Sequence, residues 1–325
     1  MEYMGLFHKY KVNRLLTDKE RERQLDPKVK LEVQPIHQLT VLRMNSTYLE
    51  TVDKYDAWRG WATAVLLAVI VICTLMVVED IRTLIGNQTD LGEYAIWWML
   101  ILVMTTGLLL LALWFFLKEA FTRCYYPIRF NRKTRKVHVT RLNGTVLTVG
   151  WDEVFFTLSP TGMGSLGASH WEIQGHVLGE DRQTVKETFA LAFWGLEENG
   201  QPNTVVRMYW EFIRRYMEEG PASVDNVLRQ CSPVLFRRET WWYGFQRFNF
   251  NFYQRWVALI LGLPFSVLDA FGRQIALRTS RLPKWPVEVE AECVIEPGDP
   301  YERDARHNKH DLWGMKIWPS QKPLW

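Results

Sequence analysis

Apolar residues fall along this chain in more than one pattern. Two stretches are apolar throughout: Trp61–Val78 (WATAVLLAVIVICTLMVV) and Ala95–Leu117 (AIWWMLILVMTTGLLLLALWFFL). Neither holds a charged residue. About 20 apolar residues of helix, rising roughly 1.5 Å each, cross the core of a bilayer. The second stretch meets that length. The first is about a turn short, a mismatch that thin bilayers and flanking side chains absorb. Hydrocarbon offers no partner to backbone N–H and C=O groups, so both stretches are predicted to be helices, paired as a transmembrane hairpin. Trp61, Trp97, Trp98 and Trp114 lie near their ends, where indoles suit the headgroup layer.

After Pro127 the period drops to two. Ile128–Asn131, Lys136–Leu142, Thr145–Val149 and Val154–Leu158 are predicted strands, with Asn143-Gly144 as a hairpin turn. Trp171–Leu178 and Thr184–Ala190 form a further candidate pair. The period then lengthens to that of a helix over Thr204–Met217, whose apolar side carries Val205, Met208, Tyr209, Phe212, Ile213 and Tyr216. Gly220-Pro221 ends it.

The remaining segments are less regular. Residues 1–60 read as a polar, basic arm, solvated or docked on the later domain, with a short charged helix in Leu15–Leu25 and a juxtamembrane helix in Thr47–Trp58. In 221–325, Leu235–Arg255 interleaves arginine with aromatic residues, and Trp256–Phe265 is apolar before Pro264, Asp269 and Gly272 interrupt. That apolar run is short for a span, and arginines flank it, so it is predicted to lie on the cytoplasmic leaflet or against the spans, with a third spanning helix as the alternative. Val287–Ile295 (VEVEAECVI) alternates like an edge strand. The expected layout is therefore a basic arm (1–60), a transmembrane hairpin (61–117), a β-rich domain (118–220) and an aromatic-rich helical region (221–325), an α+β membrane protein.

Charge adds an orientation. Basic residues crowd both outer flanks of the apolar pair, from Lys9 to Arg59 and from Lys118 to Lys136, whereas Glu79–Tyr94 holds Arg82 beside four acidic residues. Cationic loops stay in the cytoplasm, so both termini are expected inside. The net charge of +3 over 325 residues gives no polybasic signature for nucleic acid. Cys73, Cys124, Cys231 and Cys293 form no CxxC pair, which argues against a disulfide framework or zinc knuckle. Sixteen tryptophans point to aromatic packing, an interfacial belt or a partner surface.

Candidate chemistry is sparse. Gly162-Met-Gly164-Ser-Leu-Gly167 matches GxGxxG, but a strand-like Trp171–Gln174 follows where a dinucleotide site needs a helix N-terminus. Ser165 lacks the nucleophile-elbow spacing. His307 and His310 with Asp304 and Asp311 offer metal-ligand types without a further ligand nearby. Glu288, Glu290 and Glu292 read as a solvated strand edge. No catalytic residue, cofactor or metal ligand is nominated, and the expectation is a non-enzymatic protein. Arg237, Arg238, Trp241, Trp242, Arg247, Arg255 and Trp256 are the candidate contacts to lipid or to a protein partner, since Arg and Trp dominate interface hot spots.

The stretch IRFNRKTRKVHVTRLNGTVLTVGWDEV resembles the opening of bacterial membrane-anchored pleckstrin-homology-like domains, in which a hairpin follows two transmembrane helices. That resemblance implies a small cytoplasmic barrel closed by the amphipathic helix. With the segment PFSVLDAFGRQIA…RLPKWPVEVEAEC, the chain is similar to a proteobacterial two-span family often found near type VI secretion and polymorphic-toxin genes. The resemblance implies an inner-membrane immunity or accessory factor whose partner is a toxin or secretion component. The alternative expectation is a membrane-anchored, lipid-reading scaffold or sensor. Neither expectation sets an oligomeric state.

Overall fold

The computed structural model describes residues 9–37, 39–56, 59–86, 94–121, 125–161, 170–198, 201–202, 204–233, 239–250, 256–281 and 284–308. In chain order its elements are β1 (Arg14–Leu15), α1 (Asp18–Glu22), β2 (Val41–Met44), β3 (Tyr48–Thr51), α2 (Trp61–Gly86), α3 (Ala95–Glu119), β4 (Ile128–Asn131), β5 (Lys136–Thr140) and β6 (Val146–Gly150). They continue with β7 (Val154–Thr161), β8 (His170–Leu178), β9 (Thr184–Glu198), β10 (Gln201–Pro202), α4 (Thr204–Glu218), α5 (Ala222–Asp225), α6 (Trp241–Phe250), α7 (Trp256–Thr279), α8 (Val287–Glu292) and β11 (Arg303–Asp304). The chain forms two compact units, each assembled from separated stretches. The sheet unit takes Met1–Asp56, Tyr125–Arg238 and Leu282–Trp325, and the helical unit takes Ala57–Cys124 and Glu239–Arg281.

The sheet unit holds a six-stranded sheet, ordered β11-β2-β3-β4-β5-β6, and a second sheet, β1-β9-β8-β7 with β10 on β9. All the pairings are antiparallel. Local chemistry makes the β5–β6 turn where expected: Gly144 takes φ +88°, and the Asn143 carboxamide oxygen accepts from the Thr145 N–H at 2.9 Å. Alternation then sorts the side chains. Phe130, Val137 and Val139 are fully buried on one face, while Arg129, Lys136 and His138 point to the other. Trp151 stacks on Trp210 of α4 at 5.7 Å, and Phe156 meets each indole at 4.8 Å. This cluster explains the apolar side of α4: burying one large aromatic side chain stabilises by about 1.5–3 kcal/mol. The Trp151 indole N–H is satisfied by the Glu218 carboxylate at 2.7 Å.

Two local expectations change, and one open alternative is decided. Residues 41–51 are buried strands rather than a solvated arm running into a helix: β3 pairs in register with β4, Leu49 opposite Phe130. Residues 13–25 take the docked alternative rather than the solvated one, with β1 on β9 and Leu16 and Leu25 buried. Val287–Glu292 is a helix, not an edge strand. Pro286 supplies no N–H and leads a helix naturally, and the spacing of Val289 and Cys293 puts both on one helical face, packed with Tyr48. The residues that bury Val289 and Cys293 come from a distant strand, so tertiary packing decided between two periods.

Among the described residues, three helices of the helical unit are long and apolar enough to cross a membrane: Trp61–Gly86, Ala95–Lys118 and Ile260–Thr279. α2 runs past Val78 and carries Glu79, Asp80 and Arg82, which were expected in the connector. Asp80 is buried against α3, where the Thr105 hydroxyl donates to its carboxylate at 3.1 Å. α7 continues through Pro264, so the interrupted apolar run forms one helix of 24 residues. The apolar run read as ending near Pro264 is thus part of a longer apolar helix. Proline removes one backbone hydrogen bond, and packing on α2 and α6 offsets that loss.

Candidate functional site

Many exposed apolar side chains lie on the long helices. Met104, Val257 and Val103 are 75%, 72% and 69% exposed, and Ile96, Trp97, Ile260 and Leu261 are similarly open. Soluble proteins rarely expose contiguous apolar patches of more than a few hundred Å². Across α2 and α3 the exposed positions include Val71, Ile72, Leu75, Leu100, Leu110 and Leu111, so the apolar character runs along both helices. Their buried positions are small or polar: Thr63, Cys73 and Asp80 on α2, and Thr105 and Ala112 on α3. Small residues let backbones approach closely, and paired polar groups hold helices together where the surroundings are apolar.

The expected contact residues divide. Trp241 and Trp242 both stand on α6, exposed, stacked on Phe245 at 5.2 and 5.4 Å and on each other at 6.4 Å. Arg247 lies on the same helix and is half-buried. Trp256 opens α7. Arg237, Arg238 and Arg255 lie outside the described residues, as do the side chain of Trp256, the GxGxxG loop, His310 and Asp311. The structure therefore brings the two tryptophans together and places Arg247 further along the same helix.

Sequence reasoning missed the charged groups beside them. The Arg273 guanidinium donates two hydrogen bonds to Glu239, at 2.6 and 2.9 Å, with both side chains buried. The Gln274 amide donates to the Glu239 carbonyl at 2.7 Å. Gly60, just before α2, and Gly272 of α7 let the two backbones approach closely. A Cβ on Gly272 would fall 2.3 Å from the Gly60 carbonyl oxygen and 2.7 Å from the Ala64 nitrogen. The two glycines were the available signal, but only the fold shows that they meet.

A second polar feature belongs to the sheet unit. Across the six-stranded sheet, Asp304, Arg43, Glu50, Arg129, His138 and Thr148 oppose one another strand by strand. Arg129 pairs with Glu50 at 3.0 Å and lies between the rings of Tyr48 and Trp285, at 4.3 and 4.6 Å. The Trp285 indole N–H donates to the other Glu50 oxygen at 2.8 Å. Glu290 and Glu292, expected on a solvated edge, reach Arg129 at 3.4 Å and Lys136 at 2.7 Å from α8. Burial holds the His138 imidazole down at about 4, so it is neutral near pH 7, and the same cause sets His37 at about 4. Burial pushes the thiols of Cys231 and Cys293 upward, which keeps both protonated. His307 bonds Asp304 at 3.0 Å within a helix cap. Among the described residues no group of three or more His, Cys, Asp or Glu side chains is placed to hold a metal ion. A third buried network links Tyr10, Lys54 and Glu172: Lys54 donates to Tyr10 at 2.7 Å and to Glu172 at 2.9 Å.

Fold and surface together define a protein of mixed helix and antiparallel sheet with apolar helices compatible with membrane association. Residues 105–297 match the family described as "Family of unknown function (DUF6708)", and the chain belongs to that family. The matched region begins within α3 and ends beyond α8. No curated protein and no solved structure matches this chain.

Proposed function

We propose that this protein is a non-enzymatic membrane protein that holds a protein partner at the cytoplasmic face of a bacterial inner membrane. The observation that carries the reading is the exposed apolar surface of α2 and α3, on helices of 26 and 25 residues. A helix of either length rises by about 38 Å, enough for a hydrocarbon core of about 30 Å. Basic residues on both outer flanks, with Glu79, Asp80, Asp90 and Glu93 at the far end, support both termini inside. In this reading the sheet unit is the binding module, and its two antiparallel sheets with α4 support a pleckstrin-homology-like arrangement. Anchoring raises its local concentration at the membrane, so even a modest contact suffices there.

The narrower reading, an immunity or accessory factor of a type VI toxin system, is supported by the resemblance of the C-terminal segment to proteins encoded near such loci. Two measurements test these levels separately. The full chain is expected to stay in the membrane pellet through alkaline carbonate and to leave it in detergent; release by carbonate overturns the membrane reading. Deletion of the gene is expected to be lethal only in cells that carry a toxin encoded beside it; indifference to that toxin overturns the immunity reading. Exposed Trp241 and Trp242 favour a second reading, a lipid-sensing scaffold, because indoles prefer the headgroup layer.

A further inference from the structure

We propose that α6 and α7 form a hairpin embedded in a single leaflet, so that the third long apolar helix does not cross the bilayer. This rests on the membrane reading above. Chain connectivity carries it. The residues before and after 239–281 belong to one compact unit. Cys231 and Asn308 exchange two hydrogen bonds, at 2.9 and 2.8 Å, and Arg303 pairs with Asp225 at 3.0 Å. A segment whose two ends join the same unit crosses a bilayer an even number of times. α6 has 10 residues. At roughly 1.5 Å each it rises about 15 Å, half of a core of about 30 Å. The described part of α6 is too short to cross, and Glu239 at its start is held level with Arg273 and Gln274, so α7 is assigned no crossing.

The side-chain geometry agrees. The ion pair between Glu239 and Arg273 holds the start of α6 beside the later turns of α7, closing an antiparallel hairpin. That charged end packs on the first turn of α2: a Cβ on Gly60 would meet the Asp269 carbonyl oxygen at 2.4 Å and the Arg273 Cβ at 2.7 Å. Arg59 precedes that turn, which puts it at the edge of the hydrocarbon. Charged groups are costly at the bilayer centre and far less so at its boundary, so this depth suits Asp269, Arg273 and Glu239. The other end of α7 exposes Val257, Ile260, Leu261 and Leu268 while Gly262 and Ser266 turn inward. The partner this surface fits is the acyl-chain layer of one leaflet, the side on which both ends of the hairpin emerge.

The test uses the full chain in sealed membrane vesicles with a membrane-impermeant thiol reagent. Single substitutions Tyr94→Cys, Val257→Cys and Lys284→Cys, all at exposed positions, are read against the wild-type background. Tyr94→Cys and Lys284→Cys are expected to react from opposite faces. Val257→Cys is expected to react from neither face until detergent is added. Reaction of Val257→Cys from the Tyr94 face shows a third crossing and overturns the proposal; free reaction from the Lys284 face overturns the lipid occupant. Reaction of Tyr94→Cys and Lys284→Cys from the same face instead overturns the membrane-spanning reading of α2 and α3. Leu261→Cys repeats the measurement one turn further along α7 should Val257→Cys fail to accumulate.

Discussion

Replacing Arg129 by methionine asks whether the buried row across the six-stranded sheet is held by charge or by shape. Arg129 and Glu50 are directly opposed on β4 and β3, with side chains 3% and 1% exposed. Methionine keeps much of the apolar bulk between Tyr48 and Trp285. It removes the cation, however, and strands the Glu50 carboxylate, although the hydrogen bond from Trp285 remains. Breaking a buried pair from one side costs about 3–5 kcal/mol. A unit of this size loses roughly 2–4 °C of Tm per kcal/mol, so Arg129→Met is expected to lower the transition of the sheet unit by about 10 °C. Adding Glu50→Gln neutralises the stranded group and still accepts from Trp285, so the double variant is expected to recover at least half of the loss. The assay is a double-mutant cycle on the full chain in detergent, with melting followed by circular dichroism in the β-sheet region. Should Glu50→Gln deepen the loss of Arg129→Met instead of offsetting it, the cost arises from packing between the rings, and the electrostatic reasoning is refuted.

Other outcomes follow from the same structure. His37 and His138 stay neutral in the folded protein down to about 4, whereas an unfolded imidazole takes up a proton near 6.5. The unfolded state therefore binds more protons between those values, and stability falls as pH drops through that window, by about 2 kcal/mol per histidine at pH 5. Melting temperature against pH checks this, and His37→Asn with His138→Asn is expected to flatten the slope between pH 7 and 5. Gly272→Ala places a Cβ against the backbone of Gly60 and Ala64, neither of which yields as a side-chain tip would. It is expected to cost the helical unit about 1–3 kcal/mol, read as a lower detergent melting temperature. Tyr10→Phe removes the hydroxyl shared by Lys54 and Glu172. It is expected to cost about 1–2 kcal/mol and to speed tryptic cleavage between Lys9 and Arg23, the segment that Tyr10 pins to β8; unchanged cleavage would count against that role.

Sequence alone determined the features whose causes are local. Uninterrupted apolar runs can only be helices in hydrocarbon, Asn143-Gly144 supplies its own turn, and the 3.6-residue spacing of Val205 to Tyr216 selects a buried helical face wherever it docks. Tertiary structure decided what depends on a distant partner. β2 and β3 are only four residues each and become strands because β4 offers its edge from beyond the whole α2–α3 insertion. VEVEAE satisfies a strand period and a helical one equally, and the buried positions of Val289 and Cys293 beside Tyr48 selected the helix. Glu239 and Arg273, or Glu50 and Arg129, carry no mark of their pairing, since a single charge suits any opposite charge until the fold places one 3 Å away. Of the candidate contacts, Trp241 and Trp242 are adjacent in sequence and stack on one another and on Phe245 within one short helix, which also carries Arg247. The glycine contact between Gly60 and Gly272 was not, because close backbone approach is a property of two helices together.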